Sequence, residues 1–437
     1  MFVPRTRPFA ALLFAFVVLT APVGAQSPTP RLEADLPLLR LDELVEEVRA
    51  SNPSLRAAHL EVEALSTVAR QVSALPDPMI MGTYQPFSVL TARGAQRSQW
   101  RIEQQLPYPG KLSLMGDIAD LGTDVAAHEA TAFEIDLVAS VKRVYYELYR
   151  IQEQLVLINI FQDRLVQFEA AAAEQYQVGT GMQQAILKAQ IEKNALSLRA
   201  LDLEERRTTA VETLSRLVDR PIEGEFRVEI SQPEIEGLQA AELVETALAN
   251  RPEMKAVESA AERADRQIDL AHKQFLPDFG VNVTYFDIAS GPVPPTATGR
   301  DAVALGISIK VPLQRDRLRA RLEEAKARRS QTDARRDALA SSFRTQIHDL
   351  VKRLEIETEQ LDLYRDLLIP QATSTVNAIL SAYTTGRTDF LNLLDAERML
   401  FTLRLNREDA QARLLKASAD LERELAVDNL SDLSTFQ

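Results

Sequence analysis

The sequence predicts a mainly helical chain with a small β part, laid out as two structural repeats. Each repeat reads as a helix, two strands and a long antiparallel coiled-coil hairpin. Three observations carry this. Apolar residues recur at coiled-coil spacing through very long proline-free stretches, four short segments alternate in polarity, and four landmarks recur in order about 200 residues apart.

The repeat is legible in paired segments. "ELVEEVRASNPSLRAA" (43–58) matches "ELVETALANRPEMKAV" (242–257), with Pro53 against Pro252. "LPDP" (75–78) matches "LPDF" (276–279), "RIEQQLP" (101–107) matches "GISIKVP" (306–312), and "YQVG" (176–179) matches "YTTG" (383–386). The offset drifts from 199 to 207 residues, too long for a solenoid and consistent with a duplication. The first helix of each copy is expected over about 41–74 and 240–275, stopped by the proline of "LPD".

The long helices follow. Phe133, Leu137, Val141, Val144, Leu148, Ile151, Leu155 and Ile158 step by fours and threes. Phe343, Ile347, Leu350, Leu354, Leu361, Tyr364 and Leu368 do the same, with Glu357 interrupting the seam. No proline lies between Gly110 and Asp219 or between Leu313 and Ile369. A helix over 111–177 is about 100 Å long at the standard rise, more than a compact domain needs. Periodicity alone is equally satisfied by an ordinary coiled-coil hairpin.

Strands are expected at about 79–87, 98–106, 279–287 and 302–311, joined by loops at 87–97 and 288–301 on one side. "DAVALGISIKVP" (301–312) alternates most regularly: Val303, Leu305, Ile307 and Ile309 oppose Ala304, Gly306, Ser308 and Lys310. Trp100 and Ile102 head the apolar face of the second segment, which Gln104 interrupts. Each segment has the length of a tilted membrane strand, and Trp100 and Tyr285 suit a headgroup boundary. The lipid-facing positions are then Trp100, Ile102, Val303, Leu305, Ile307 and Ile309. A small soluble sheet packed on a helix is the competing reading. Four strands cannot close a barrel, and an open edge in lipid is prohibitive, so a membrane reading requires self-association.

Residues 1–25 read as a secretory signal: Arg5 and Arg7, an apolar core from Phe9 to Leu19, then "VGA". Its removal takes the net charge from −13 to −15. The first repeat is assigned to 26–218, a linker with a short strand near 226–230 to 219–239, the second repeat to 240–427, and a flexible tail to 428–437. The acidic balance argues against a nucleic-acid partner. There is no cysteine, hence no disulfide, and no 18-residue apolar run in the mature chain.

At this point the sequence resembles the TolC-type outer-membrane efflux proteins over almost the whole mature chain. The resemblance rests on the duplicated layout, on "LPYPGKL" (106–112), and on "YTTGRTDFLNLLDAE" (383–397) with "YQVGTGMQQAILKAQ" (176–190). It implies a homotrimer with a 12-stranded β-barrel in outer-membrane lipid and a 12-helix periplasmic tunnel. Such a channel is the passive exit duct of a tripartite efflux pump or type I secretion system, served by a periplasmic adaptor and an inner-membrane transporter. It further implies adaptor-docking tips at Val178, Gly179, Thr180, Thr385, Gly386, Arg387 and Thr388. Asn392 and Asp395 align with the family's ring of inward acids; Asn392 replaces a carboxylate, and the first-repeat counterparts are Ala185 and Lys188. Lys188 is expected to pair with Asp395 and hold the constriction shut. Members that export metal ions carry a segment like "PYPGKL", which leans toward a cation or metal pump.

No chemistry is expected. His59, His128, His272 and His348 are scattered, with no metal-binding spacing, and there is no phosphate loop or nucleophile motif. Met79 and Met81 suit packing better than soft-metal ligation. The sequence therefore predicts neither enzyme activity nor a cofactor. A periplasmic coiled-coil adaptor or scaffold without a pore remains the alternative from another class.

Overall fold

The computed structural model describes residues 36–179, 181–233, 237–289 and 298–430. The signal segment, Thr180, part of the linker, part of the 288–301 loop and most of the tail lie outside the described residues.

In chain order the elements are β1 (Leu38–Leu39), α1 (Leu41–Ser51), α2 (Pro53–Ser66), α3 (Val68–Val72), β2 (Met79–Thr91), β3 (Gly94–Leu106), α4 (Lys111–Gln177) and α5 (Gln183–Val218). There follow β4 (Arg227–Val228), α6 (Ala240–Asn250), α7 (Pro252–Lys273), β5 (Asp278–Ala289), β6 (Ala302–Lys310), α8 (Arg315–Asp362), a π-helical turn (Leu363–Leu368), α9 (Ile369–Thr384) and α10 (Phe390–Leu425). The helix over 111–177 forms as the seam requires: Leu137, Val141, Leu148, Ile151 and Ile158 are buried.

The first helix of each repeat is broken where the sequence suggests continuity. Asn52 and Arg251 are extended, at φ −61°, ψ 120° and φ −61°, ψ 130°. The following proline disfavours the helical basin at these positions and then starts a new helix at its first residue. Asn52 caps α2 by accepting from the Ser54 and Leu55 N–H groups.

In the second hairpin Pro370 lies inside a helical run. Proline offers no N–H and crowds the carbonyl of Asp366, four residues back. The π turn over Leu363–Leu368 precedes it and widens the helix there. The seam residues Leu361, Tyr364 and Leu368 are accordingly half-buried. Glu357 does not leave the seam. It is buried and accepts a 2.8 Å hydrogen bond from Arg413 Nε.

The strands also outrun the expected bounds. The β2–β3 hairpin continues to Thr91 and resumes at Gly94, so the expected 87–97 loop shrinks to Ala92 and Arg93. Gly94 has φ 144°, and a Cβ there would lie 2.7 Å from the Ala289 carbonyl oxygen. The expected linker strand is Arg227–Val228, parallel to Leu38–Leu39. Tyr145 from α4 donates to the carbonyls of Leu39 and Glu229, fixing this mini-sheet to the helical wall.

Near the tips α5 packs on α4, α4 on α10, and α10 on α9. Nearer the sheet the order is α2, α4, α7, α8. Each protomer is thus a wall of four helical columns, with one end of the wall capped by the sheet.

Candidate functional site

The four long strands form one antiparallel sheet in the order β2–β3–β5–β6. Their register aligns the side chains in rows. Ile80, Ile102, Val283 and Leu305 share one row; Gly82, Trp100, Tyr285 and Val303 share the next. Gln104, Val281 and Ile307, then Leu106, Phe279 and Ile309, continue the same face toward the helices. Nothing among the described residues covers it: Leu305 is 83% exposed and Ile307 79%. Trp100, Ile102, Val303 and Ile309 are exposed as well. Trp100 lies across Gly82, where a Cβ would come 2.9 Å from its ring.

The opposite face carries Gln99, Arg101, Glu103, Asn282, Thr284 and Ser308, with Met79 and Met81 among them. Arg101 Nε donates to Thr284 Oγ1 at 3.3 Å. Gln104, the polar exception on the apolar face, donates its amide to the Pro76 and Gln105 carbonyls at 2.7 and 3.0 Å. A soluble sheet would tuck the apolar face beneath a helix, and this one leaves it bare. Neither outer strand, β2 nor β6, has a second partner among the described residues.

"PYPGKL" forms the junction between strand and helix. Gly110 takes φ 84° to start α4. Lys111 then reaches into the second repeat, donating to Asp278 Oδ1 at 2.7 Å and to the Leu276 carbonyl at 3.0 Å. The Tyr108 N–H donates to the same Asp278 oxygen at 2.9 Å. The motif therefore clasps the two repeats at the foot of the sheet.

At the far end, Gly179 and Gly386 adopt φ 75° and 69°, with nothing within 4 Å of where a Cβ would stand. The second turn is a Schellman cap: Gly386 N–H donates to the Tyr383 carbonyl and Arg387 N–H to that of Ala382. Val178 is 73% exposed; Thr385 and Arg387 are exposed and Thr388 half-buried. Thr388 Oγ1 accepts from Asn392 Nδ2 at 3.1 Å, and Asp389 caps α10 by accepting from Asn392 N–H at 3.0 Å.

Asp395 is exposed one turn further on. Its cation within the protomer is Arg398, at 3.8 Å, and not the expected Lys188, which is exposed on α5 and pairs with no anion among the described residues. Alignment of the repeats favours Lys188, but an arginine three residues on along the same helix needs no second hairpin to be in place. Arg398 also binds Glu192 of α5, which holds its guanidinium above the ordinary value. That brace between hairpins joins residues 206 apart and has no signal in the sequence.

A sheet with one bare apolar face and one polar face, mounted on a helical wall, defines a membrane channel subunit. Comparisons with known proteins agree. Residues 243–426 match the family model described as Outer membrane efflux protein. The cobalt-zinc-cadmium resistance protein CzcC of Cupriavidus metallidurans is 20% identical over 427 residues, covering 97% of this chain and 98% of that protein. The crystal structure of CusC is similar with a TM-score of 0.74 and 19% identity, covering 88% of this chain and 91% of the other. VceC of Vibrio cholerae gives 0.74 and 19%, covering 89% and 96%. The family match covers residues 243–426, and together with these likenesses it makes the chain an outer-membrane efflux channel. Channels of this family form trimers.

Proposed function

We propose that three copies close into one passive exit duct of a tripartite pump, with a metal cation as cargo. The uncovered apolar face, bounded by two unpaired strand edges, carries this reading. Each open edge finds its missing partner on a neighbour, and three sheets of four strands close without leaving backbone groups in lipid. Trp100, Ile102, Val303, Leu305, Ile307 and Ile309 then face hydrocarbon, and Arg101, Glu103 and Asn282 line water. The two repeats, divided at 219–239, supply the paired hairpins of the tunnel.

The tips receive a periplasmic adaptor, and an inner-membrane transporter supplies the energy. Exposed Tyr176, Val178 and Met182 give the tips an apolar contact surface, and Thr385, Gly386 and Arg387 a polar one. Three Asp395 carboxylates, with Asn392 a turn before, form the constriction above them, and any pairing with Lys188 is made between protomers. The cargo follows from the "PYPGKL" junction and from similarity to a cobalt-zinc-cadmium resistance protein along the full chain.

Extraction tests the duct: the protein should require detergent and run as a heat-sensitive trimer, whereas a monomer in the periplasmic fraction would sink the proposal. Loss of the protein should lower tolerance to zinc, cobalt or cadmium. Unchanged metal tolerance alongside lost tolerance to organic compounds would overturn the cargo and leave the duct standing.

A further inference from the structure

We infer that the outer end of the β2–β3 hairpin binds a phosphorylated lipid of the outer leaflet, through Arg93, Arg97 and Arg300 together with Phe87 and Leu90. The inference rests on the membrane placement above and adds a ligand to it.

The hairpin is longer than its neighbour. β2 and β3 have 13 residues each and β6 has 9. Beyond the row that ends in Val303, β2 and β3 continue to pair, through Val89 with Gln96, Leu90 with Ala95 and Thr91 with Gly94. Both strands are irregular where this extension begins. The β2 register shifts between Tyr84 and Val89, and that of β3 against β5 shifts between Gln96 and Ser98, leaving Arg97 as the bulged residue. Bulges bend a strand and re-aim its side chains. Phe87, in the unpaired stretch, is 91% exposed, and Leu90 is exposed on the extension.

The arginines here lack anions. Arg93, Arg97 and Arg300 are exposed, and none is ion-paired among the described residues. The two nearby carboxylates are engaged elsewhere. Asp301 accepts from the Tyr285 hydroxyl and, at 2.9 Å, from the Ile288 N–H. Asp287 accepts from the Ser98 hydroxyl at 3.2 Å. Gly299 N–H donates to the Arg93 carbonyl at 2.8 Å, which holds the segment carrying Arg300 against the hairpin turn. The sequence between Ser290 and Ala297 adds no charge of either sign. An acidic protein thus places three guanidinium groups, none in an ion pair among the described residues, against two carboxylates at the outer end of its apolar membrane face.

Guanidinium forks suit phosphate oxygens, which accept two parallel N–H bonds. Free phosphate would use the arginines and leave Phe87 and Leu90 in water. A lipid uses both, because its acyl chains cover apolar side chains that are exposed in the single chain.

The test uses the detergent-solubilised full-length trimer titrated with bis-phosphorylated lipid A, its dephosphorylated counterpart, and inorganic phosphate. Bound lipid is read by native mass spectrometry, and assembly by the heat-sensitive trimer of the same sample. Wild type should prefer the phosphorylated lipid, with binding that weakens as salt rises. Arg93→Gln/Arg97→Gln/Arg300→Gln should weaken it by about a hundredfold, at about fivefold for each arginine near a charged surface. Phe87→Ser/Leu90→Ser should weaken both lipids alike. Equal binding of the two lipids, an unchanged affinity in the triple variant, or displacement by inorganic phosphate alone would overturn the inference. Should the triple variant fail to assemble, Arg93→Gln and Arg93→Lys decide it: the first should lose more affinity than the second, which keeps the charge and loses the fork. Equal affinity of both with wild type would overturn the inference. A sample without the heat-sensitive trimer would instead count against the duct itself.

Discussion

Two residues at matching places in the paired segments do different work. Asn52 caps a helix, whereas Arg251 at the matching position is 2% exposed, binds Glu253 and Glu424, and stacks its guanidinium 4.1 Å from the Phe343 ring centre. Asn52→Ala should cost about 1 kcal/mol, the usual loss for a cap. Arg251→Ala should cost about 3 kcal/mol, because it takes a buried cation from the buried Glu424, which then keeps only Arg423, and removes the packing on Phe343. Denaturation midpoints of the purified trimers should follow that order; equal midpoints would show that the second site tolerates loss of its cation. Asp395 is a different kind of residue, exposed and held only by a 3.8 Å contact with Arg398 among the described residues. Asp395→Ala should leave the trimer intact and raise single-channel conductance or cell leakiness, and unchanged leakage in an assembled variant would remove it from the constriction.

At the scale of elements, α4 and α10 are joined by an antiparallel ladder of ion pairs. Going down α4 and up α10, the partners are Arg164 with Glu397 at 2.8 Å, Arg150 with Asp409 at 3.1 Å, Glu147 with Lys416 at 2.5 Å and Arg143 with Asp420 at 2.7 Å. Lys142 with Glu422 at 2.7 Å and Asp136 with Arg423 at 2.5 Å continue the series. Burial pushes the Glu147 carboxyl up, but hydrogen bonds from Arg150 and Lys416 outweigh it and hold the group below its ordinary value. A lowered carboxylate stabilises the fold fully above the unfolded value and loses that contribution as pH falls through the folded one. Glu147→Gln should therefore cost about 1 kcal/mol at neutral pH and progressively less in acid, read as converging denaturation midpoints. A pH-independent difference would mean that the loss is packing. None of this ladder was legible in the sequence, since each rung joins residues far apart in the chain and many charges of both signs are available. The helices themselves were legible, because the seam and the absence of proline depend only on neighbours. So were the strand faces, through alternation. The π turn before Pro370 was not, because it is a compromise between a residue that stops helices and packing that continues one.

The whole molecule is constrained by its two exposed edges. Toward the tips the columns run α5, α4, α10, α9, so the edges are α5 and the helix that continues from α8 through the π turn into α9. Both edges carry apolar stripes. Leu187, Ile191, Leu198 and Leu201 lie on one face of α5, and Ile356, Leu363 and Leu367 on one face of the other, all exposed in the single chain. Measured from the tips at the standard rise, Leu201 and Leu367 both stand about 27 Å up the wall. A ring closed head to tail brings this height on one protomer against the same height on the next. Leu201 is 68% exposed and Leu367 45%, so pairing them removes apolar area that nothing among the described residues covers. Leu201→Glu and Leu367→Lys should each reduce the heat-sensitive trimer, because each buries an unpaired charge in the closed ring. Together they should restore much of it, since the two charges then face one another across the interface. Singles that assemble like wild type, or a double variant no better than either, would show that the ring closes through other surfaces.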